Sequence, residues 1–166
     1  MCSSDLIYSP DPQPNGGFGI SMEIDENQLY LSQSGFLGGV HGFESEYVYV
    51  YDHQGVLLNT IEAPEPELGA SFGFTMSGSG DKIVISEVKA TVDGIDQAGK
   101  VHIYNTDGEY LRTLLSPNPD TNAWFGRDVA ISGDIIVVGE YQAHINPSMR
   151  EGKAHVFNID GTLLKP

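Results

Sequence analysis

Two groups of oxygen-bearing side chains resemble the ligands of a hard cation such as calcium in type or in spacing. Asp93 and Asp96 flank a Gly-Ile pair in a long connecting segment. Glu23, Asp25 and Asn27 alternate as calcium ligands do, but the segment lacks the glycine of the sharp bend and a carboxylate further on. We therefore expect no cofactor, and calcium stays an alternative with Asp93 and Asp96 as its candidate ligands.

Histidine and tryptophan side chains are the next candidates for chemistry. His102 and His155 lie 53 residues apart in two similar strand-like runs, which favours a packing role over a shared metal site. Trp124 could stack on a sugar ring, but its place before a Phe-Gly pair favours packing at a junction. The sequence has no nucleophile elbow, phosphate loop or His-Glu metalloprotease motif, so we expect a protein that is not an enzyme.

Composition and charge exclude several classes of protein. The chain has 166 residues, enough for one buried core, and its single cysteine rules out an intrachain disulfide framework. Eight basic against 23 acidic residues give a net charge of −15, which argues against a nucleic-acid partner. The longest strictly aliphatic run, residues 135–138, is far too short to span a membrane.

The elements that must position these side chains come in repeats. Phe-Gly pairs begin at Phe18, Phe72 and Phe125, at spacings of 54 and 53 residues. A proline loop precedes each pair, an alternating aromatic and β-branched run follows it, and a turn glycine closes each unit. Self-similarity at this period is typical of solenoids and propellers.

Each repeat predicts four short antiparallel strands. Tight turns at residues 79–81 and 132–134 separate strands one and two, and Asp-Gly turns at 107–108 and 160–161 separate strands three and four. In the alternating run, Val101 and Ile103 should face one neighbouring sheet and His102 and Tyr104 the other. The fold class is therefore all-β: a β-propeller fragment of three four-stranded antiparallel blades with about 53 residues per repeat.

The third repeat resembles a known family. Residues 125–139, which run from Phe-Gly through an apolar strand, and residues 152–158 are similar to an FG-GAP repeat, the unit of the integrin alpha-subunit propeller and of many surface proteins. The Gly-Ala-Pro end of the family motif is altered, and only Gly139 keeps its glycine. Many such blades carry an Asp-x-Asp-x-Asp-Gly calcium loop between strands one and two, where this sequence has short turns.

The repeats predict the following organisation. Residues 1–5 lie outside the repeats, residues 6–17 form the end of a preceding blade and a linking loop, and the three repeats cover 18–71, 72–124 and 125–166, the last of them truncated. Because propellers have about 4–8 blades, we expect a fragment of a longer propeller or half of a two-chain ring. Further blades of the same chain or a second copy are therefore expected partners.

Functional residues are expected on one face of the propeller. The connections between strands two and three are long and unlike one another, and diverse loops on a regular scaffold are the usual place for binding. The candidate ligand-binding residues on these loops are Phe36, His41, Phe43, Asp93, Asp96, Tyr141, His144 and Arg150. Phe36 and Phe43 have an alternative role in packing the loop onto its own blade.

The resemblance implies a function that the residues alone do not define. FG-GAP propellers suggest a non-catalytic extracellular or cell-surface module for binding or adhesion, with a protein or carbohydrate ligand. Two alternatives stay open: a propeller that belongs to a polysaccharide-acting enzyme, and a structural repeat of a surface layer. Because fold does not define function, these expectations need a site.

Overall fold

The computed structural model describes residues 6–12, 16–34, 46–146 and 149–165. In these ranges the chain forms strands and turns, and three four-stranded antiparallel sheets account for twelve of the strands. The predicted all-β architecture of three propeller-type blades is therefore confirmed, and the three blades do not close a ring. Within the same ranges, no helix has the length and apolarity to cross a membrane.

The strands follow the predicted order within each blade. Blade one contains β1 (Phe18–Ile24), β2 (Gln28–Gln33), β3 (Tyr47–Asp52) and β4 (Leu57–Ile61). Blade two contains β5 (Phe72–Ser79), β6 (Lys82–Glu87), β7 (Lys100–Asn105) and β8 (Tyr110–Leu115). Blade three contains β9 (Phe125–Ser132), β10 (Ile135–Glu140), β13 (Lys153–Asn158) and β14 (Leu163–Lys165). A small hairpin that the sequence did not predict, β11 (His144–Asn146) with β12 (Met149–Arg150), lies inside the long connection of blade three.

Two buried clusters hold neighbouring blades together. We call the side of a blade that faces the next blade its trailing face and the opposite side its leading face. Val101 and Ile103 on the trailing face of blade two pack with blade three, whereas Tyr104 on its leading face packs with blade one. The predicted alternation along β7 is therefore confirmed. Strand β6 is buried on both faces because blade two has a neighbour on each side.

The Phe-Gly pairs allow the blades to approach closely. Gly19, Gly73 and Gly126 all have a positive φ, between 77° and 87°, which a residue with a β-carbon adopts only at a cost. A β-carbon on Gly73 would lie 2.8 Å from Cβ of Ser32 in the preceding blade. Gly126 meets blade two in the same way. The Phe-Gly pair therefore allows each blade to pack closely against the blade before it.

Polar contacts repeat at the outer edge of the stack. Asn59 in strand four of blade one donates from Nδ2 to the carbonyl oxygen of Asp107 at 2.9 Å, in the turn of blade two. Arg112, in the equivalent position of blade two, donates to the carbonyl oxygen of Asp160 in the turn of blade three. Successive blades are thus linked by repeated contacts at both edges: by the Phe-Gly pairs at strand one and by these hydrogen bonds at strand four.

Residues 6–8 occupy the place of a preceding strand four. The hydroxyl of Tyr51 donates to the carbonyl oxygen of Tyr8 at 3.4 Å, and the hydroxyl of Tyr104, one repeat later, donates to the carbonyl oxygen of Glu62 at 2.7 Å. Glu62 directly follows β4 of blade one. Residues 6–8 therefore contact blade one in the way that the end of β4 contacts blade two.

Candidate functional site

The long connection of blade two forms a blade junction rather than a free loop. Its backbone accepts hydrogen bonds from the segment that leads into blade three: Asn122 N to Asp96 O at 3.0 Å, Trp124 N to Gln97 O at 3.3 Å and Phe125 N to Ala98 O at 2.9 Å. The indole Nε1 of Trp124 also donates to Oε1 of Gln97 at 3.1 Å. The prediction that Trp124 packs at a junction therefore agrees with its contacts.

An aromatic and cationic cluster lies beside this junction. The ring of Trp124 lies 6.4 Å from that of Tyr141, with an interplanar angle of 31°. The guanidinium of Arg127 lies 4.7 Å from the ring centroid of Phe74 and 6.0 Å from that of Tyr141. Tyr141 keeps 62% of its surface exposed. We call these four residues the aromatic cluster.

An open cleft extends from the aromatic cluster over blade three. Arg127, Tyr141, Arg150 and Lys153 are among its lining residues. Arg150 lies on the small hairpin and donates from Nη1 to Oε1 of Gln142. The cleft therefore brings two of the predicted site residues, Tyr141 and Arg150, together with two further cations in a chain whose net charge is −15.

His144 is held by an acidic residue of the neighbouring proline loop. Its Nδ1 contacts Oδ2 of Asp120, and its backbone N donates to the same oxygen at 3.3 Å. Hydrogen bonding from the His144 side chain lowers the pKa of the Asp120 carboxyl. His144 therefore anchors the base of the hairpin, and its ring is only one-third exposed.

The remaining predicted residues do not join the aromatic cluster. Asp93 and Asp96 are exposed, and Asp93 lines a different cleft, on blade two, together with Lys100 and Tyr110. Asp93 has a positive φ of 51° in a tight turn that Val92 and Ile95 close. Phe36, His41 and Phe43 lie outside the described residues.

The acidic side chains of the described ranges do not assemble into a cation site. There, no three His, Cys, Asp or Glu side chains are grouped so that they could hold a metal ion. Asp25 instead closes its own turn, where Oδ1 accepts from the backbone N of Asn27 and of Gln28 at 2.7 Å each.

Sequence analysis missed two buried histidine–glutamate hydrogen bonds. Nε2 of His102 lies 3.0 Å from Oε2 of Glu87, and Nε2 of His155 lies 2.7 Å from Oε2 of Glu140. Each glutamate is the last residue of strand two, and each imidazole lies against the phenylalanine of its own Phe-Gly pair. The 53-residue repetition of a strand-end glutamate together with the histidine was the signal that could have revealed these pairs.

Comparison with known proteins identifies one family repeat in the chain. Residues 111–157 match the model of the FG-GAP repeat family. A search of curated proteins finds no significant match. The matched segment starts in β8, which is strand four of blade two, and ends in β13, which is strand three of blade three. The resemblance noted in the sequence is thus confirmed over these residues, and the chain carries an FG-GAP repeat in a stack of β-propeller-type blades.

Proposed function

We propose that this chain is a non-catalytic binding module that recognises a protein or a glycan through the aromatic cluster. The observation that carries the proposal is the exposed ring of Tyr141, which lies beside the ring of Trp124 and the Arg127 guanidinium. Tyrosine, tryptophan and arginine are the residues that most often supply the binding energy of an interface. The FG-GAP match further supports a role outside the cell or at its surface.

The positions of three histidines support a role without catalysis. His102 and His155 are almost wholly buried, and each imidazole is engaged by a glutamate. His144 is held by Asp120 at the base of the hairpin. A general acid or base must reach the reacting group of a substrate, and these imidazoles are already bound within the fold.

The cleft offers cationic side chains to the anionic groups of a ligand. The cleft is lined by three cationic residues, Arg127, Arg150 and Lys153. Two acidic residues, Asp128 and Glu151, also line it. Glu140 also lines it, but its carboxylate is engaged by His155. Arginine binds carboxylates through paired hydrogen bonds, so an acidic peptide segment or a uronic-acid glycan fits this chemistry.

Binding assays on immobilised probes test the proposal. The probes are a panel of neutral and uronic-acid oligosaccharides and a set of acidic and neutral peptides. We expect binding to one class of anionic probe, and Tyr141→Ala should weaken it at least tenfold. Tyr110→Ala is the matched control, because Tyr110 is also exposed but lies on β8, outside the cluster. Equal loss in both variants, or no binding to any probe, would contradict the proposal.

A further inference from the structure

Two sheet faces at the ends of the described stack expose apolar side chains. On the trailing face of blade three, Ile135 and Val137 are 42% and 40% exposed. On the leading face of blade one, Met22 and Ile24 are 67% and 65% exposed. On this second face, Tyr8 contacts Tyr51 of β3, and Ile7 lines one groove with Met22 and Ile24, which nevertheless stay exposed. Large apolar side chains exposed together on one sheet face are a feature of interaction sites.

The same positions are buried inside the stack. Val84 of blade two corresponds to Val137 and is fully buried against blade three. Met76 of blade two corresponds to Met22 and is 6% exposed where it packs with blade one. The two open faces are therefore the two halves of an interface that this chain already forms twice.

The Phe-Gly geometry shows how the halves fit. Gly73 and Gly126 each lie against a serine and a valine of the preceding blade, Ser86 and Val101 in the case of Gly126. Gly139 and Ala154, which are directly paired across β10 and β13, hold the corresponding positions of blade three. Gly19 has the same backbone conformation, with a φ of 80°, and a β-carbon there would meet nothing within 4 Å.

Charge disfavours one of the symmetric contacts, the contact between two copies of the first repeat. The repeat at 18–71 contains nine carboxylates and no lysine or arginine, whereas the repeat at 125–166 has five carboxylates and four cations. Two copies of the first repeat placed face to face would repel each other. A contact between the first and third repeats avoids this repulsion.

We propose that the trailing face of blade three binds the leading face of blade one in a second copy of this chain, with Phe18 and Gly19 seated against Gly139 and Ala154. The contact is heterologous, so it either closes a ring or continues as a filament. Two copies supply six blades, within the range of closed propellers. This proposal uses sheet faces rather than the aromatic cluster and does not depend on the proposed ligand.

The mass in solution tests the contact. Size-exclusion chromatography with light scattering, from micromolar to several hundred micromolar protein, should give a mass of at least twice 18.0 kDa. Ala154→Glu places a charge on an exposed position of β13 and should weaken association at least tenfold. Gly139→Ser with Ala154→Val installs the residues of the internal interfaces and should strengthen it. Circular dichroism checks that each variant is folded.

Mixing two variants tests the direction of the contact. Ala154→Glu disrupts the trailing face of blade three and leaves the leading face of blade one intact. Met22→Glu disrupts the leading face of blade one and leaves the trailing face of blade three intact. Each variant alone should be monomeric, and their mixture should form a one-to-one dimer. A wild-type chain that stays monomeric throughout would overturn the proposal and leave these faces to further blades or another partner. Self-association of either variant alone at wild-type strength would also overturn it.

Discussion

Gly126 of blade three approaches Val101 of blade two so closely that a β-carbon on the glycine would lie 2.8 Å from Cγ2 of the valine. Real side chains almost never come so near, so one of the two strands would have to shift. The contact joins the first strand of one blade to the third strand of the blade before it. It therefore fixes the spacing between blades as well as the shape of a turn.

Gly126→Ala should destabilise the chain more than Gly19→Ala does. Both glycines have a φ above 77°, so each substitution places a β-carbon in a strained backbone, at a cost of about 1 kcal/mol. Only Gly126→Ala also collides with the neighbouring blade, which should add about 1–3 kcal/mol. Urea denaturation of dilute, monomeric protein measures the difference. Equal losses of unfolding free energy in the two variants would mean that Gly126 is required only for its backbone conformation and not for the contact between blades.

Glu87→Ala should cost about 2 kcal/mol, because it leaves the buried imidazole of His102 without its hydrogen-bond partner. Glu87 and His102 are each about 1% exposed. Glu87→Gln is the matched control and should cost less, since an amide retains a hydrogen-bonding group and blade one already has Gln33 in this position. Chemical denaturation near neutral pH compares the variants. A loss from Glu87→Ala below about 1 kcal/mol would show that the pair does not stabilise the fold.

Ser71→Gly should stabilise the chain by roughly 1 kcal/mol. Ser71 has a φ of 62° and is 1% exposed, and its buried Oγ has no hydrogen-bond partner among the described residues. Glycine removes both the backbone strain and the unsatisfied hydroxyl, and Gly17 already holds this position one repeat earlier. Thermal unfolding measures the gain. Ser71→Ala is the control, because it removes the hydroxyl and keeps the strain.

The contribution of Asp120 to stability should decrease in acid. Its pKa is lowered in the folded chain by hydrogen bonding from His144, so the stabilisation is present above the unfolded pKa of about 4. It is lost as the pH falls from there through the folded pKa. The difference in free energy of unfolding between wild type and Asp120→Asn should therefore narrow as the pH falls below about 4. A difference that does not change with pH would contradict this linkage.

The repeats made the blade architecture predictable, because landmarks at a constant spacing reveal a unit that stacks on itself. The alternation in β7 also assigned His102 and Tyr104 to one face and Val101 and Ile103 to the other. These features depend on local periodicity, which a sequence displays directly.

The site was harder to predict because it depends on contacts between repeats. Tyr141 and Arg150 were recognised as loop residues, whereas Arg127 and Phe74 belong to neighbouring blades and meet only through stacking. The glutamate partners of His102 and His155 were overlooked because the pairing of strands two and three determines which side chains meet across a sheet. Neither relationship follows from spacing along one strand.

Blade two differs from its neighbours in being covered on both sides, since its leading face packs on blade one and its trailing face on blade three. In a linear array where contacts run between neighbours, opening begins at the ends. In dilute, monomeric protein, amide protons of β6 and β7 should therefore exchange with deuterium most slowly, through global unfolding, while those of the outer blades exchange through fraying at lower free energy. Local stability should thus be highest in blade two and lower in the two outer blades.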